Sequence, residues 1–156
     1  MRRADREVTD KDRMLQIIEA CDVCRLAIAD EDVPYILPVN FGSEVIDGVV
    51  HLYFHGATEG RKYDVMAAAG KASFEMDWGH ELQCDPDRGY CTMAFESVIG
   101  WGELHEVEGD EAKAHTLQVL CDHYHLGDDF VYSPAAIYRT RVFDLVVQDM
   151  TAKVKG

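Results

Sequence analysis

The chain has 156 residues, enough for one domain with a buried core. Its 29 acidic and 15 basic residues give a formal net charge of -14. This charge disfavours DNA, RNA and anionic membranes as partners, because they require a basic surface. No apolar run approaches the ~20 residues that span a bilayer. The first twenty residues show no signal-peptide pattern, so we expect a cytoplasmic protein.

The first part of the chain combines one helix with short strands. Apolar residues at helical spacing predict a helix over residues 10–21, which Thr9 or Asp10 can cap. Three extended segments follow, over residues 23–29, 35–42 and 49–55, separated by the turn signals DEDVP and IDG. Pro38 predicts that the second of them lies at a sheet edge, at a bulge, or where its nitrogen has no ladder partner.

The rest of the chain is read in the same way. Residues 71–78 alternate Ala72, Phe74, Met76 and Trp78 towards the interior, and a polar excursion follows over residues 79–90. The long extended stretch 91–107 contains Gly100 and Gly102, which favour a bulge or twist. The other predicted elements are helices over 59–69 and 110–125 and a last strand over 141–149.

These elements add up to roughly six strands and three helices, with one helical crossover between 49–55 and 71–78. Neighbouring strands are joined by short turns, unlike the regular alternation of a doubly wound α/β sheet. We therefore expect a mainly β chain that forms a small, mostly antiparallel barrel with peripheral helices.

Five cysteines in a chain without an export signal indicate free thiols rather than a disulfide framework. Cys21 and Cys24 have the spacing of half a zinc site, but Cys84 and Cys91 do not supply a matching second pair. The Cys21–Cys24 pair also closes a predicted helix, whereas a thioredoxin-like redox motif opens one. A structural role is the main interpretation, and metal or redox roles remain alternatives.

The segment HGATEGRK places Arg61 and Lys62 side by side where a helix begins, in an otherwise acidic chain. The first amides of a helix lack intrahelical partners, and the helix dipole adds partial positive charge there. Thr58 is a candidate N-cap. Two cations at this position favour a bound anion such as a phosphate. The alternative is a pair of solvated surface side chains.

The order of these motifs resembles the flavin-binding split-barrel proteins related to pyridoxamine 5'-phosphate oxidase, and within them the Nim group, named for 5-nitroimidazole resistance. RLAIAD followed by PYILPVNFG is similar to the group's first hairpin, and LYFHGATEGRKYDVM to its flavin-phosphate segment. ASFEMD and ESVIGWGELHEV are similar to its next two strands, and FDLVVQDMTAK to its tail. The resemblance implies a six-stranded antiparallel split β-barrel that binds flavin mononucleotide (FMN).

The resemblance also implies a homodimer with two FMN sites, each made by both subunits. Arg61 and Lys62 would hold the phosphate, and His55 would face the reactive side of the flavin and donate a proton to the substrate. Thr58 and the backbone amides of Glu59 and Gly60 would assist at the phosphate. The residues implied near the flavin ring, in part from the partner subunit, are Pro38, Val39, Asn40, Phe41, Phe54, Ser97 and Val98.

The chain departs from the oxidase itself at two places. Pro38 stands where the oxidase's early flavin strand starts with an arginine, and no arginine-rich substrate region follows residue 141. Pyridoxamine phosphate is therefore not the expected substrate. The resemblance implies instead an FMN-dependent reductase of small electrophiles such as nitroaromatics or quinones.

Other functions stay open at this point. The protein could carry, store or sense a flavin without catalysis, bind haem through a histidine such as His55, or bind zinc through Cys21 and Cys24. We do not expect a metal site at His115, His123 and His125, because His123 and His125 face different sides of the predicted helix.

Overall fold

The computed structural model describes residues 4–124 and 130–156, and its main feature is an eight-stranded sheet. Four helices and a 3-10 turn at Ala4–Arg6 are placed between the strands along the chain. The helices are α1 (Lys11–Ala20), α2 (Arg61–Ala69), α3 (Asp110–His123) and α4 (Pro134–Tyr138). The strands are β1 (Glu7–Val8), β2 (Cys24–Ile28), β3 (Tyr35–Val39), β4 (Phe41–Ile46), β5 (Val49–Ala57), β6 (Lys71–Asp85), β7 (Tyr90–Glu106) and β8 (Thr140–Lys155).

The strand order is β3-β2-β6-β7-β8-β5-β4, with β1 paired to β8, and every pairing is antiparallel. Among the described strands, β3 and β4 form the two ends of this order and do not pair with each other, so the barrel is split. The prediction of a mainly β, antiparallel split barrel is confirmed. The position of β3 at an end also fits Pro38, which has no N–H to give to a further strand.

The sheet has eight strands rather than six for two reasons. The two-residue β1 adds to β8, where Val8 lies opposite Ala152. The predicted strand over residues 35–42 ends at Val39, and Asn40 separates it from β4. As a result, β3 and β4 lie at opposite ends of the strand order, although a single residue joins them.

The interior contains the apolar residues of the inner strand faces. Phe41, Phe54, Phe74 and Phe143 are all buried at 0–1% exposure. The predicted first helix is confirmed as α1, in which Ile17 and Ile18 are fully buried. Asp10 caps it by accepting a hydrogen bond from the Asp12 amide at 3.0 Å.

The hairpin of β6 and β7 is longer than predicted. Residues 79–90, interpreted as a polar excursion, belong mostly to the two strands and their turn. Trp78 is exposed instead of facing the interior, and its indole donates to Glu96 Oε2 at 3.1 Å. The physical reason is the register shift between Trp78 and Glu81, which ends the inward alternation.

The predicted irregularity at Gly100 and Gly102 is confirmed by a register shift between Trp101 and Gly102. A Cβ atom at Gly100 would lie 2.6 Å from the Asp149 carbonyl oxygen, and one at Gly102 would lie 2.4 Å from that of Val146. Both positions therefore require glycine because β8 approaches closely.

The predicted helix over 110–125 ends at His123, and His125 lies outside the described residues. Within the described part of the chain, none of the helices combines the length and hydropathy needed to cross a membrane.

Gly42 generates a stability prediction, because a Cβ atom there would lie 2.6 Å from the backbone of Leu120 in α3. Gly42→Ala should lower the free energy of unfolding by about 1–3 kcal/mol, the typical cost of overpacking. Chemical denaturation measures this, with the neighbouring substitution Ser43→Ala as the control. Equal stability of the two variants would show that α3 does not pack on the β4 backbone in solution.

Candidate functional site

A surface cleft of about 530 Å³ opens where β3 and β5 end and α2 begins. Strand β5 brings His55 to its rim, and the first turn of α2 brings Lys62. The volume falls within the range of about 300–1,000 Å³ that is usual for small-molecule sites. The cleft is lined by Val23, Pro38, Val39, Asn40, His55, Gly56, Ala57, Lys62 and Tyr63.

His55 reaches the cleft because side chains alternate along β5. Phe54 is packed in the core at 1% exposure, and the next residue points to the other face. The Nδ1 atom of His55 is buried and has no hydrogen-bond partner among the described residues. Burial, and then the positive charge of Lys62, lower the pKa of His55 below its ordinary value. Both causes favour the neutral form of the imidazole.

Arg61 and Lys62, adjacent in sequence, have different surroundings. The Arg61 side chain is 71% exposed and donates from Nη2 to Asp30 Oδ2 at 2.7 Å, which raises the pKa of Arg61. Lys62 lines the cleft with its Nζ atom 4.8 Å from the centre of the Tyr63 ring. No acidic side chain in the described ranges forms an ion pair with Lys62. Among the residues that the structure describes, Arg61 has an acidic partner and Lys62 has none.

Helix α2 starts two residues later than predicted. Gly60 is its N-cap and has φ +133°, a conformation that favours glycine. No side chain caps the helix, so the N-cap role predicted for Thr58 is wrong. Thr58, Glu59 and Gly60 form an exposed turn beside the cleft rather than part of its lining.

Tyr63 and Gly56 form a contact that sequence analysis missed. A Cβ atom at Gly56 would lie 1.5 Å from the Tyr63 hydroxyl, so only glycine leaves room for this ring. Tyr63 also stacks on Phe143, with ring centres 6.3 Å apart. Tyr63, which lines the cleft, is therefore fixed in position by its contact with the core residue Phe143. The sequence did contain one signal for a buried Tyr63: it lies three residues before Met66, the spacing of one helix face, and both are buried in α2.

The C-terminal end of α3 braces the opposite wall. The Tyr124 hydroxyl accepts a hydrogen bond from the Phe41 amide at 3.1 Å and donates one to the Asp22 carbonyl at 2.8 Å. These contacts join the segment before Val23 to the segment after Asn40, and both of those residues line the cleft. No sequence motif identified this link, which joins residues 83 and 102 positions apart.

Several predicted site residues lie elsewhere in the chain. Phe41, Phe54 and Val98 are buried in the core, and the Phe41 amide is already bonded to Tyr124. Ser97 lines a separate cleft of about 280 Å³ with Lys153. Five predicted residues line this cleft together, namely Pro38, Val39, Asn40, His55 and Lys62.

A larger cleft of about 780 Å³ lies between α1, α3 and β4, but it does not suit an anion. Its lining includes Glu19, Glu44 and Asp122, and no lysine or arginine of the described residues lines it. Negative charge would repel a phosphate, so the smaller cleft with Lys62 is the better candidate for one.

The cysteines differ from the prediction in one respect. Cys84 and Cys91 are opposite each other in the β6–β7 hairpin and form a disulfide, so the expectation of five free thiols is wrong. The physical reason is the tight turn between the two strands, which brings the pair together. Cys21, Cys24 and Cys121 are free and buried.

The histidines of α3 have structural contacts. His115 Nε2 lies 3.0 Å from Glu44 Oε1, and His123 Nε2 donates to the Cys21 carbonyl at 2.8 Å. The predicted relation between His123 and His125 lies outside the described residues. Within residues 4–124 and 130–156, no three histidine, cysteine or acidic side chains are placed to hold a metal ion together.

Residues 10–154 match the family described as pyridoxamine 5'-phosphate oxidase. The chain belongs to this family. No protein of curated function matches it. It is 32% identical to a solved structure from Bacteroides thetaiotaomicron, named as a putative 5-nitroimidazole antibiotic resistance protein, with a TM-score of 0.82. The match covers 95% of this chain and 86% of the other, and it supports placing the chain in the Nim-type group of the family.

Two further solved structures share the fold at lower identity. An FAD and heme binding protein from Mycobacterium smegmatis is 17% identical with a TM-score of 0.82, over 96% of this chain and 73% of that one. A flavocytochrome from Azotobacter vinelandii is 19% identical with a TM-score of 0.81, over 100% and 72%. At these identities the likeness extends to the fold alone.

The electrostatic coupling within the cleft can be measured directly. Lys62→Gln should raise the pKa of His55 part of the way towards its ordinary value, because the cation is the second cause of the depression and burial, the first, remains. NMR titration of the imidazole signals measures the shift. Lys71→Gln is the control, since Lys71 lies over Trp101. An unchanged His55 pKa in Lys62→Gln would contradict the coupling.

Proposed function

We propose that this chain binds FMN in the cleft at the end of β5 and acts as an FMN-dependent reductase of small electrophiles such as nitroaromatics. The proposal rests on two groups that line the same cleft. Lys62 has no acidic partner among the described residues, and the buried Nδ1 atom of His55 has no hydrogen-bond partner there. Leaving a buried polar atom unpaired costs free energy, which a ligand at this site would offset.

The residues of the cleft fit the parts of the cofactor. Lys62 and the first amides of α2 provide positive charge for a phosphate. Asn40 lies between β3 and β4, at the gap between the two strands. Pro38, Val39 and Asn40 therefore offer one wall with backbone groups to the ring system. The resistance protein from Bacteroides supports the function by its name and by its identity of 32%.

Arg61 and Lys62 do not contribute equally to phosphate binding in this proposal. Because Arg61 is paired with Asp30, Lys62 is the main phosphate ligand in this proposal, and Arg61 contributes only when it leaves Asp30. The choice of FMN over a dinucleotide flavin is part of the proposal.

A bound flavin would supply the electron transfer. The chain's own contribution is binding, orientation and control of a proton at His55. An anion placed at Lys62 offsets the charge that lowers the His55 pKa. His55 is therefore a better proton carrier when the site is filled, and it can deliver a proton to a substrate that is being reduced.

A homodimer completes the proposal. Ser97, Ile99 and Trp101 share the outer face of β7, and Ile99 and Trp101 are 54% and 42% exposed. An exposed apolar pair on a sheet face favours contact with a second subunit. Such a contact would let Ser97 approach the partner subunit's flavin. The cytoplasmic location expected from the sequence also remains part of this proposal.

The phosphate assignment can be tested by comparing FMN with riboflavin, which lacks the phosphate. Lys62→Gln should weaken FMN binding roughly 10- to 100-fold, the loss of one charge-assisted contact of about 1.5–3 kcal/mol. Riboflavin binding should not change. Arg61→Gln is the matched control and should have a smaller effect, because Arg61 is already paired. Fluorescence titration measures both ligands. Equal weakening by the two substitutions would contradict the division of roles.

The reductase assignment requires a turnover measurement. The purified protein should absorb near ~450 nm, and FMN should be released by heat and identified by mass. Under anaerobic conditions with a supplied electron donor, the loaded protein should reduce a 5-nitroimidazole faster than free FMN does. His55→Gln should keep the flavin but lose about 10²–10⁴-fold in rate, as expected for a general acid.

Two results would redirect the assignment. Flavin binding with no reduction above free FMN would favour a flavin carrier, store or sensor. A haem spectrum without flavin would favour the haem-binding alternative instead.

A further inference from the structure

The five cysteines, all within the described residues, fall into two classes by burial. Cys21, Cys24 and Cys121 are buried. Burial raises the pKa of Cys21 to about 12 and also raises that of Cys24, so neither forms a thiolate near neutral pH. Cys84 and Cys91 are exposed and bonded to each other. Among the cysteines, only Cys84 and Cys91 are therefore accessible to solvent.

This disulfide lies in a two-stranded ribbon, residues 79–94, which we call the hairpin arm. Among the described strands, β6 beyond the register shift at Trp78 pairs with β7 alone. Strand β7 gains its second neighbour at Phe95, opposite Lys155. Lys155 Nζ also contacts Thr92 Oγ1, and it donates to the Met93 carbonyl at 3.2 Å. An isolated two-stranded ribbon is only marginally stable. The order of the arm therefore depends on the Cys84–Cys91 bond and on the contacts of Lys155.

The disulfide lies on the open face of the arm. Leu82 is opposite Met93 and Cys84 is opposite Cys91, and residues two apart share a face. Leu82 is 65% exposed and Met93 is 43% exposed. The other face carries Ala94, which is buried at 7%. A small reagent can therefore approach the sulfur–sulfur bond from solvent.

We propose that Cys84 and Cys91 form a reversible dithiol/disulfide couple that reacts with low-molecular-weight thiols and controls the order of the hairpin arm. A thiolate of the small thiol attacks one sulfur, the disulfide bond breaks, and the other cysteine leaves as a thiolate that takes up a proton. A second thiol attacks the mixed disulfide and releases the first cysteine. Two thiols are oxidised to one small disulfide, and two electrons and two protons reach the protein.

Exposure and the short loop both favour reduction of the Cys84–Cys91 disulfide in the native protein. Exposed disulfides are generally the more reducible ones, and the buried cysteines offer no competing thiolate. The bridge spans a separation of only seven residues, and a disulfide that closes a short loop stabilises the whole fold least. Reduction should therefore loosen the arm and leave the barrel folded.

The turn of the arm provides a natural probe of its order. Arg88 lies in the turn, where its amide donates to Asp85 Oδ1 at 3.0 Å and its guanidinium pairs with the same carboxylate at 3.4 Å. Trypsin cleaves after arginine, so the Arg88–Gly89 bond reports whether the turn opens. Cleavage of such a bond follows the population of locally opened chains.

The first experiment traps thiols in the native protein. After treatment with dithiothreitol, iodoacetamide should label Cys84 and Cys91, and Cys21, Cys24 and Cys121 should react only after denaturation. After removal of dithiothreitol, oxidised glutathione should restore the bond and prevent labelling. Labelling of the buried cysteines first, or no labelling of the pair in the native protein, would overturn the proposal.

The second experiment measures trypsin cleavage after Arg88 with and without dithiothreitol, with far-UV circular dichroism as a check on the barrel. Cleavage should be about tenfold faster in the reduced protein, with an unchanged spectrum. Cys84→Ser should be cleaved rapidly in both conditions. Leu82→Ser changes the same face but keeps the disulfide, so it should retain the redox response. Equal cleavage rates of the oxidised and reduced wild-type protein would overturn the control of arm order.

Discussion

The site depends on the alternation of β5, which lies between β4 and β8 in the sheet. Phe54 enters the core, His55 points to the cleft, and the absent side chain of Gly56 leaves room for Tyr63. A shift of one residue in register would exchange these environments. The pairing of β5 with both neighbours therefore fixes the imidazole, the aromatic floor and the start of α2 together.

Charge organisation explains why a chain with a net charge of -14 keeps two adjacent cations at this place. Asp30, in the connection between β2 and β3, neutralises Arg61, while Lys62 faces the cleft without an acidic partner among the described residues. The cation that remains is the one next to His55, whose pKa it lowers. A local positive site can thus exist inside an acidic protein, because a close charge outweighs distant ones that solvent screens.

Sequence patterns identified local features well and long-range ones poorly. Helix α1 and the irregularity at Gly100 and Gly102 were visible because their signals lie within a few residues. The hydrogen bonds by which Tyr124 links Asp22 and Phe41 could not be predicted, because no sequence pattern connects segments so far apart in the chain. The Cys84–Cys91 bond was missed because the hairpin arm has too polar a composition to be recognised as strand.

By itself, the sequence determined the mainly β class, the family and the candidate segment from His55 to Lys62, because periodicity and short motifs are properties of neighbouring residues. Tertiary structure alone decided which of the predicted residues face one cleft. It buried Phe41, Phe54 and Val98, paired Arg61 with Asp30 and left Lys62 in the cleft. The physical reason is that burial and charge pairing depend on strand register and on contacts between segments far apart in the chain, which no local pattern encodes.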